Sequence, residues 1–96
     1  MGLPREEIRH EVVVVAGQDV KVRQLTFKES VAVGKLVAGG DIERSTLLGI
    51  AYSTDTDIDE VEAWAAETPK WVIQRLAEEI ARITGLGGEE EVTKSG

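Results

Sequence analysis

Two short segments near the beginning of the chain have the hydrophobic pattern of β-strands. Residues 12–15 are all valine, and residues 20–25 alternate between apolar and polar side chains, as the two faces of a strand do. Residues 17–19 between them are of types that favour turns. The pattern predicts a β-hairpin whose second strand directs two valines to one face and two cations to water: Val20, Val22, Lys21 and Arg23. Two strands alone are marginally stable, so helices should cover the apolar face.

The first helix is predicted from its start and stop signals. Thr26 and Glu29 have the spacing of a capping box, in which the hydroxyl and the carboxylate each accept a hydrogen bond from a backbone N–H group. The glycines at 39–40 should stop the helix at about Ala38, because glycine adopts the left-handed conformation at low cost. We expect the buried side of this helix to consist of Phe27, Val31 and Leu36.

Two further helices are expected in the middle of the chain. Asp41 should begin the second, and residues 53–56 resemble the turn that ends it. Its apolar side has near-helical spacing and comprises Ile42, Leu47, Leu48, Ala51 and Tyr52. The third helix is short, since Asp57 and Glu60 indicate its beginning and it should end near Glu67. The apolar residues that follow these capping residues in the third helix are Val61, Trp64 and Ala65.

The fourth helix has the clearest amphipathic pattern. Thr68 is a good N-cap residue, and Pro69 suits the first helical position because its missing donor would have been unpaired there anyway. Apolar residues recur at steps of three and four, at Ile73, Leu76, Ile80 and Ile83. Gly85 followed by Leu86 has the form of a glycine cap with an apolar contact.

Together these elements predict the α+β class, with an N-terminal β-hairpin packed on a bundle of about four short α-helices and a mainly helical content. A chain of 96 residues is long enough for one hydrophobic core. We expect a flexible lead-in over residues 1–11, a single globular domain over 12–86 and a disordered acidic tail over 87–96, where little apolar surface is available to bury.

Composition narrows the classes of function. Eighteen acidic and eleven basic residues give a net charge of −7, which repels phosphate backbones and disfavours nucleic-acid binding. The same acidity could match a basic protein partner, although most surface charge is simply solvated. No apolar run approaches the roughly 20 residues that span a bilayer, and the first residues do not resemble a signal peptide. The absence of cysteine fits a reducing compartment, so a cytoplasmic protein without membrane contacts is expected.

An alternating carboxylate pattern at Asp55, Asp57 and Asp59 is the strongest candidate for a metal site. A calcium-binding loop that begins this way needs glycine at its sixth position and glutamate at its twelfth. Glu60 and Ala66 occupy those positions here. We therefore favour helix capping and solvation for these aspartates over metal binding.

No residue is assigned a catalytic or cofactor-binding role. His10 is the only histidine, which rules out a histidine-based metal cluster within one chain, and no glycines form a phosphate-binding loop. The protein is therefore not expected to be an enzyme or to carry a cofactor. Trp64 is interpreted as a core residue, whereas Trp71 fits the core and a partner interface equally well.

Three short motifs in order carry a family resemblance. Residues 20–26 read VKVRQLT, residues 57–63 read DIDEVEA, and residues 80–86 read IARITGL. A V-x-V-R-x-L-T strand, a D-x-E-E-V helix start and an I-x-x-L-S/T-G helix end follow each other in the same way in small tail assembly chaperones of long-tailed, siphovirus-like bacteriophages. The sequence resembles this family over about residues 12–86.

The resemblance implies a non-enzymatic chaperone in the host-cell cytoplasm. Such a protein binds the tape-measure protein, helps to recruit tail-tube subunits during tail morphogenesis and departs before the virion is complete. An amphipathic partner helix needs exposed apolar groups with a charge-matched rim, for which the candidates are Trp71, Val72 and Leu86. A homo-oligomer is left open, and the polar tail is compatible with a frameshifted longer form.

Two other functions remain open. The protein could be a head-tail joining or minor tail protein that is retained in the virion. Alternatively, it could be a small acidic adaptor or inhibitor that occupies a basic site on its target.

Overall fold

The computed structural model describes residues 2–85, which form a two-stranded antiparallel sheet followed by four helices. The elements are β1 (His10–Val15), β2 (Gln18–Arg23), α1 (Phe27–Ala38), α2 (Ile42–Thr54), α3 (Ile58–Ala66) and α4 (Lys70–Thr84). This arrangement confirms the predicted α+β class and the order of its elements. None of the helices within residues 2–85 has both the length and the apolar character needed to cross a membrane.

The hairpin turns one residue earlier than the sequence pattern suggested. Ala16 and Gly17 form a two-residue loop in which both have positive φ, 55° and 77°. This is the geometry of a type I′ turn, whose twist matches that of the flanking strands. Gln18 therefore belongs to β2, where it pairs with Val15. At the other end, β1 begins at His10, inside the segment expected to be a lead-in.

The hydrophobic core lies between the inner face of the hairpin and helices α2 and α4. Its buried apolar residues are Val13, Val15, Val22, Leu25, Ile50, Ala51, Val61, Leu76, Ile80 and Ile83. The predicted apolar side of α4 is confirmed, since three of its four residues are fully buried and Ile73 is half-buried. Gly85 ends this helix with φ 87°, in the left-handed conformation expected of a glycine cap.

Helix α1 has the predicted ends but not the predicted orientation. The Thr26–Glu29 capping box is present, and Gly39 follows the last turn. However, Phe27 is 85% exposed and Val31 is 38% exposed, so the prediction that they are buried was wrong. Apolar residues occur on both sides of this helix, and the side that includes half-buried Leu36 is the one that packs against α2.

Two solvent-exposed residues depart from their predicted places in the core. Ile42, at the start of α2, is 57% exposed, and Trp64 on α3 is 39% exposed. Ile42 is the first residue of α2, and its side chain lies outside the hydrophobic core. Trp64 was predicted to be a core residue, but more than a third of its surface is exposed to solvent. That prediction was wrong for the exposed part of the side chain.

The ends of the middle helices also differ in detail from the sequence prediction. Helix α2 continues through Ser53 to Thr54 and is capped by Asp55 with φ 54°, so the first two residues of the turn expected at 53–56 are helical. The Thr68 hydroxyl donates to the Trp64 carbonyl oxygen at 2.6 Å. Thr68 thus satisfies an acceptor at the end of α3, and it does not cap α4, whose N-cap residue is Pro69.

Candidate partner-binding surfaces

An open groove with a volume of about 1020 Å³ lies between α2, α3 and α4. Its apolar lining comes from all three helices and consists of Ile42, Leu47, Ala65, Ala66 and Ile73. The two alanines have short side chains, so the surface of α3 is recessed where a larger residue would fill the space. The groove is thus a concave apolar surface produced by the packing of three separate helices.

Charges of both signs surround this groove. Arg44 on α2 forms a salt bridge with Glu62 on α3, with 2.7 Å between Nη1 and Oε2. Both side chains are substantially exposed, so the pair contributes little to stability and can exchange partners at low cost. Asp41 and Glu43 add negative charge, and Lys70 adds positive charge. An apolar floor with a charged rim is the arrangement that accepts an amphipathic helix.

The three residues nominated from sequence lie elsewhere. Trp71 is 59% exposed on α4 and does not line the groove, although its neighbour Lys70 does. Val72 is half-buried and packs against the hydrophobic core, so much of its apolar surface is already covered. Leu86 lies outside the described residues. The groove residues themselves escaped the sequence analysis because their proximity depends on how three helices pack.

A second group of polar side chains surrounds Arg23 at the end of β2. Its guanidinium donates two parallel hydrogen bonds of 2.9 Å to the Glu29 carboxylate. It also donates to the Asp55 carboxylate at 3.1–3.2 Å and to the Gln24 carbonyl oxygen at 3.0 Å. The Arg23 side chain is only 14% exposed, so the prediction that it faces water was wrong.

The ion pair between Arg23 and Glu29 shifts the pKa values of both residues. Hydrogen bonding from Arg23 is the main cause that lowers the pKa of Glu29 to about 2, and the Thr26 N–H group assists while partial burial opposes it. Hydrogen bonds to Glu29 and then to Asp55 raise the pKa of Arg23. Arg23 and Glu29 therefore both stay ionised at neutral pH. The hydrogen bonds of the cluster join β2, the first turn of α1 and the end of α2.

Of the three aspartates in the alternating pattern, Asp55 forms a salt bridge with Arg23. Its carboxylate binds Arg23, whereas Asp57 occupies the N-cap position of α3 without a side-chain capping bond. Within residues 2–85, no three histidine, aspartate or glutamate side chains are grouped so that they could hold a metal ion.

The chain was compared with models of protein families, with curated proteins and with solved structures. None of the three comparisons found a match.

Proposed function

We propose that this protein is a non-enzymatic tail assembly chaperone that acts in the cytoplasm of a phage-infected host cell. It binds amphipathic helical segments of the tape-measure protein in the groove between α2, α3 and α4 and helps to bring tail-tube subunits to them. The three sequence motifs that resemble this family suggest the biological setting, and the groove suggests the mode of binding.

The observation that carries the proposal is the apolar groove with its charged rim. An amphipathic helix places its apolar residues at i, i+3, i+4 and i+7, so one face can contact Leu47, Ala65 and Ile73. Its polar flanks then meet the Arg44–Glu62 pair, which can open because it is exposed. Weak, repeated binding of this kind suits a chaperone that covers a long helical protein and later leaves it.

Filling the groove provides a direct test. Ala66 lines the groove and is exposed, so Ala66→Trp should block the groove without removing a core side chain. Ala63 is exposed on the same helix but does not line the groove, which makes Ala63→Trp the matched control. The proposal requires a tape-measure gene and a tail-tube gene near the gene of this protein. Each variant is co-expressed with the two proteins that those genes encode, and the tape-measure protein that stays in solution and co-purifies is quantified.

We expect wild type and Ala63→Trp to retain the tape-measure protein and Ala66→Trp to retain at least roughly tenfold less. Failure of the wild-type protein to bind the tape-measure protein would refute the proposal. Mass spectrometry of purified particles provides a second criterion. Stoichiometric amounts of the protein in finished virions would favour the head-tail joining or minor tail alternative.

A further inference from the structure

We propose that the outward face of α1 is a second docking surface, which pairs in coiled-coil fashion with an acidic amphipathic helix of a partner protein. The inference does not depend on the proposed function, because α1 contributes no residue to the groove between α2, α3 and α4. It rests on the exposure, the spacing and the charge of the residues on this helix.

Four of the exposed residues of α1 have the spacing of a coiled-coil seam. Phe27, Val31, Gly34 and Ala38 fall at i, i+4, i+7 and i+11, which is the alternation of a and d positions in a heptad repeat. Phe27 is 85% exposed and Val31 38% exposed, and Gly34 and Ala38 are also exposed. We call these four residues the α1 seam.

The opposite side of α1 packs against the rest of the protein. Ala32, Val33 and Leu36 are half-buried, and α1 packs against α2. The α1 seam therefore points away from the core, and no element within the described residues covers it. An apolar seam that includes a phenylalanine this exposed costs free energy in water, which burial against a partner helix would recover.

The charges beside the α1 seam indicate the chemistry of the partner. Lys28 and Lys35 are separated by one heptad, so both occupy the e position on one flank of the seam. Both are exposed, and neither forms an ion pair with any residue of the described part of the chain. Glu29, the only carboxylate of α1, is turned inward to Arg23.

A partner helix with glutamates opposite these lysines complements the α1 seam in both apolarity and charge. Charges at e and g positions set the choice of partner in coiled coils, so carboxylates facing Lys28 and Lys35 should be preferred. A second copy of α1 would bring two more lysines and no free carboxylate to the contact. The helix has 12 residues and is about 18 Å long, so the contact is short and should be readily reversible.

Gly34 gives the surface a feature that can be tested without disturbing the fold. Apart from its chain neighbours and the backbone of its own helix, a Cβ atom at this position has no atom within 4 Å, so there is space for a side chain in the free protein. The same side chain would stand between the α1 seam and a closely packed partner helix. Leucine is the favoured residue at d positions of coiled coils and would strengthen the contact, whereas a charged side chain there would oppose it. Gly34→Glu should therefore leave the protein folded and block docking, whereas Gly34→Ala should preserve docking.

Two synthetic helical peptides of three heptads each serve as probes, with leucine and isoleucine at a and d and either glutamate or lysine at e and g. Binding to the full chain is measured by fluorescence anisotropy and located by amide chemical shifts in NMR spectra at low salt. We expect the glutamate peptide to bind at least roughly tenfold more tightly than the lysine peptide and to shift the amides of α1. Gly34→Glu should lose this binding.

Charge reversal provides the sharper control. The double variant Lys28→Glu/Lys35→Glu should prefer the lysine peptide, while Lys21→Glu on the exposed face of the hairpin should behave like wild type. Equal affinity for both peptides, or shifts confined to the groove residues, would overturn the proposal. Nuclear Overhauser contacts between the α1 seam and residues 86–96, or between two copies, in the absence of peptide would assign the surface to those occupants and also overturn it.

Discussion

Ser53 is a single side chain that holds two elements together. It is 2% exposed, and its hydroxyl donates to the Arg23 carbonyl oxygen at 2.6 Å while accepting from the Arg23 N–H group at 3.1 Å. Ser53→Ala leaves both backbone groups without this partner, and we expect the free energy of unfolding to fall by about 1–3 kcal/mol. Urea denaturation measures the change.

Thr46 provides the comparison for this substitution. Its less buried hydroxyl donates only to the Ile42 carbonyl oxygen within the same helix, at 3.1 Å. Thr46→Ala should change the free energy of unfolding by less than about 0.5 kcal/mol, as surface substitutions usually do. Equal effects of the two substitutions would mean that the link between β2 and α2 contributes nothing to stability.

The hairpin turn contains a residue that is poorly suited to its conformation. Ala16 has φ 55°, which costs about 1–2 kcal/mol for most L-residues and less for asparagine. Ala16→Asn should therefore raise the free energy of unfolding by roughly 1 kcal/mol, measured by thermal unfolding, because Asn-Gly is preferred in type I′ turns. Ala16→Val should lower it, and an increase with valine would contradict the left-handed conformation at this position.

At the scale of elements, the Arg23–Glu29 pair fastens the beginning of α1 to the sheet and should make stability depend on pH. The pKa of Glu29 falls from its ordinary value of 4.5 to about 2 on folding. A carboxyl group with a lowered pKa stabilises the fold fully above its unfolded pKa, and this contribution is lost as pH falls through the folded pKa. The loss should therefore occur between about pH 4.5 and 2.

Glu29→Gln removes both the charge and part of the bidentate contact. We expect it to lower the free energy of unfolding by about 1–3 kcal/mol at pH 7, and the difference from wild type should shrink as pH falls toward 2. Denaturation curves at several pH values give both quantities. Glu78→Gln, at an exposed position on α4, is the control and should show neither effect. A difference from wild type that is constant across this pH range would contradict the role of the Glu29 charge.

The elements with local end signals and one clear apolar side could be predicted from sequence. Helix α4 is an example, since Leu76, Ile80 and Ile83 share one side and Gly85 stops the helix. The orientation of α1 could not be predicted, because Phe27 and Leu36 lie on opposite sides and both sides are apolar. Only contact with α2 decides between them.

The proposed partner-binding surfaces were also difficult to predict from sequence, because they too depend on how the helices pack. The groove requires Leu47, Ala65 and Ile73 to converge from three helices, and no local pattern encodes that convergence. The partial burial of Arg23 was also missed. The alternating pattern of the strand places Arg23 on the outer face, but it does not show that Glu29 and Asp55 form salt bridges with it there.

At the scale of the whole molecule, one core contains fully buried residues from every element except α1, which contributes only the half-buried Val33. Ile83 is 1% exposed within that core, and Ile83→Ala should lower the free energy of unfolding by about 2–5 kcal/mol, as measured in guanidinium chloride. This is a large part of the roughly 5–15 kcal/mol that stabilises a typical domain. Val14→Ala, at a position 61% exposed on the hairpin, should have a much smaller effect, and similar losses at both sites would contradict the described core.

Helix α1 buries none of its residues fully and packs on α2 alone among the larger contacts between elements. Its backbone amides should therefore exchange with deuterium through a local opening that leaves the hairpin, α2 and α4 intact, at a smaller free energy than global unfolding. The Arg23–Glu29 pair and the packing of α1 on α2 both contribute to that smaller free energy, so we expect α1 to behave as a semi-independent unit. Binding of a partner to α1 should suppress this local opening. Slower deuterium uptake that is confined to α1 would therefore indicate that a partner has bound there.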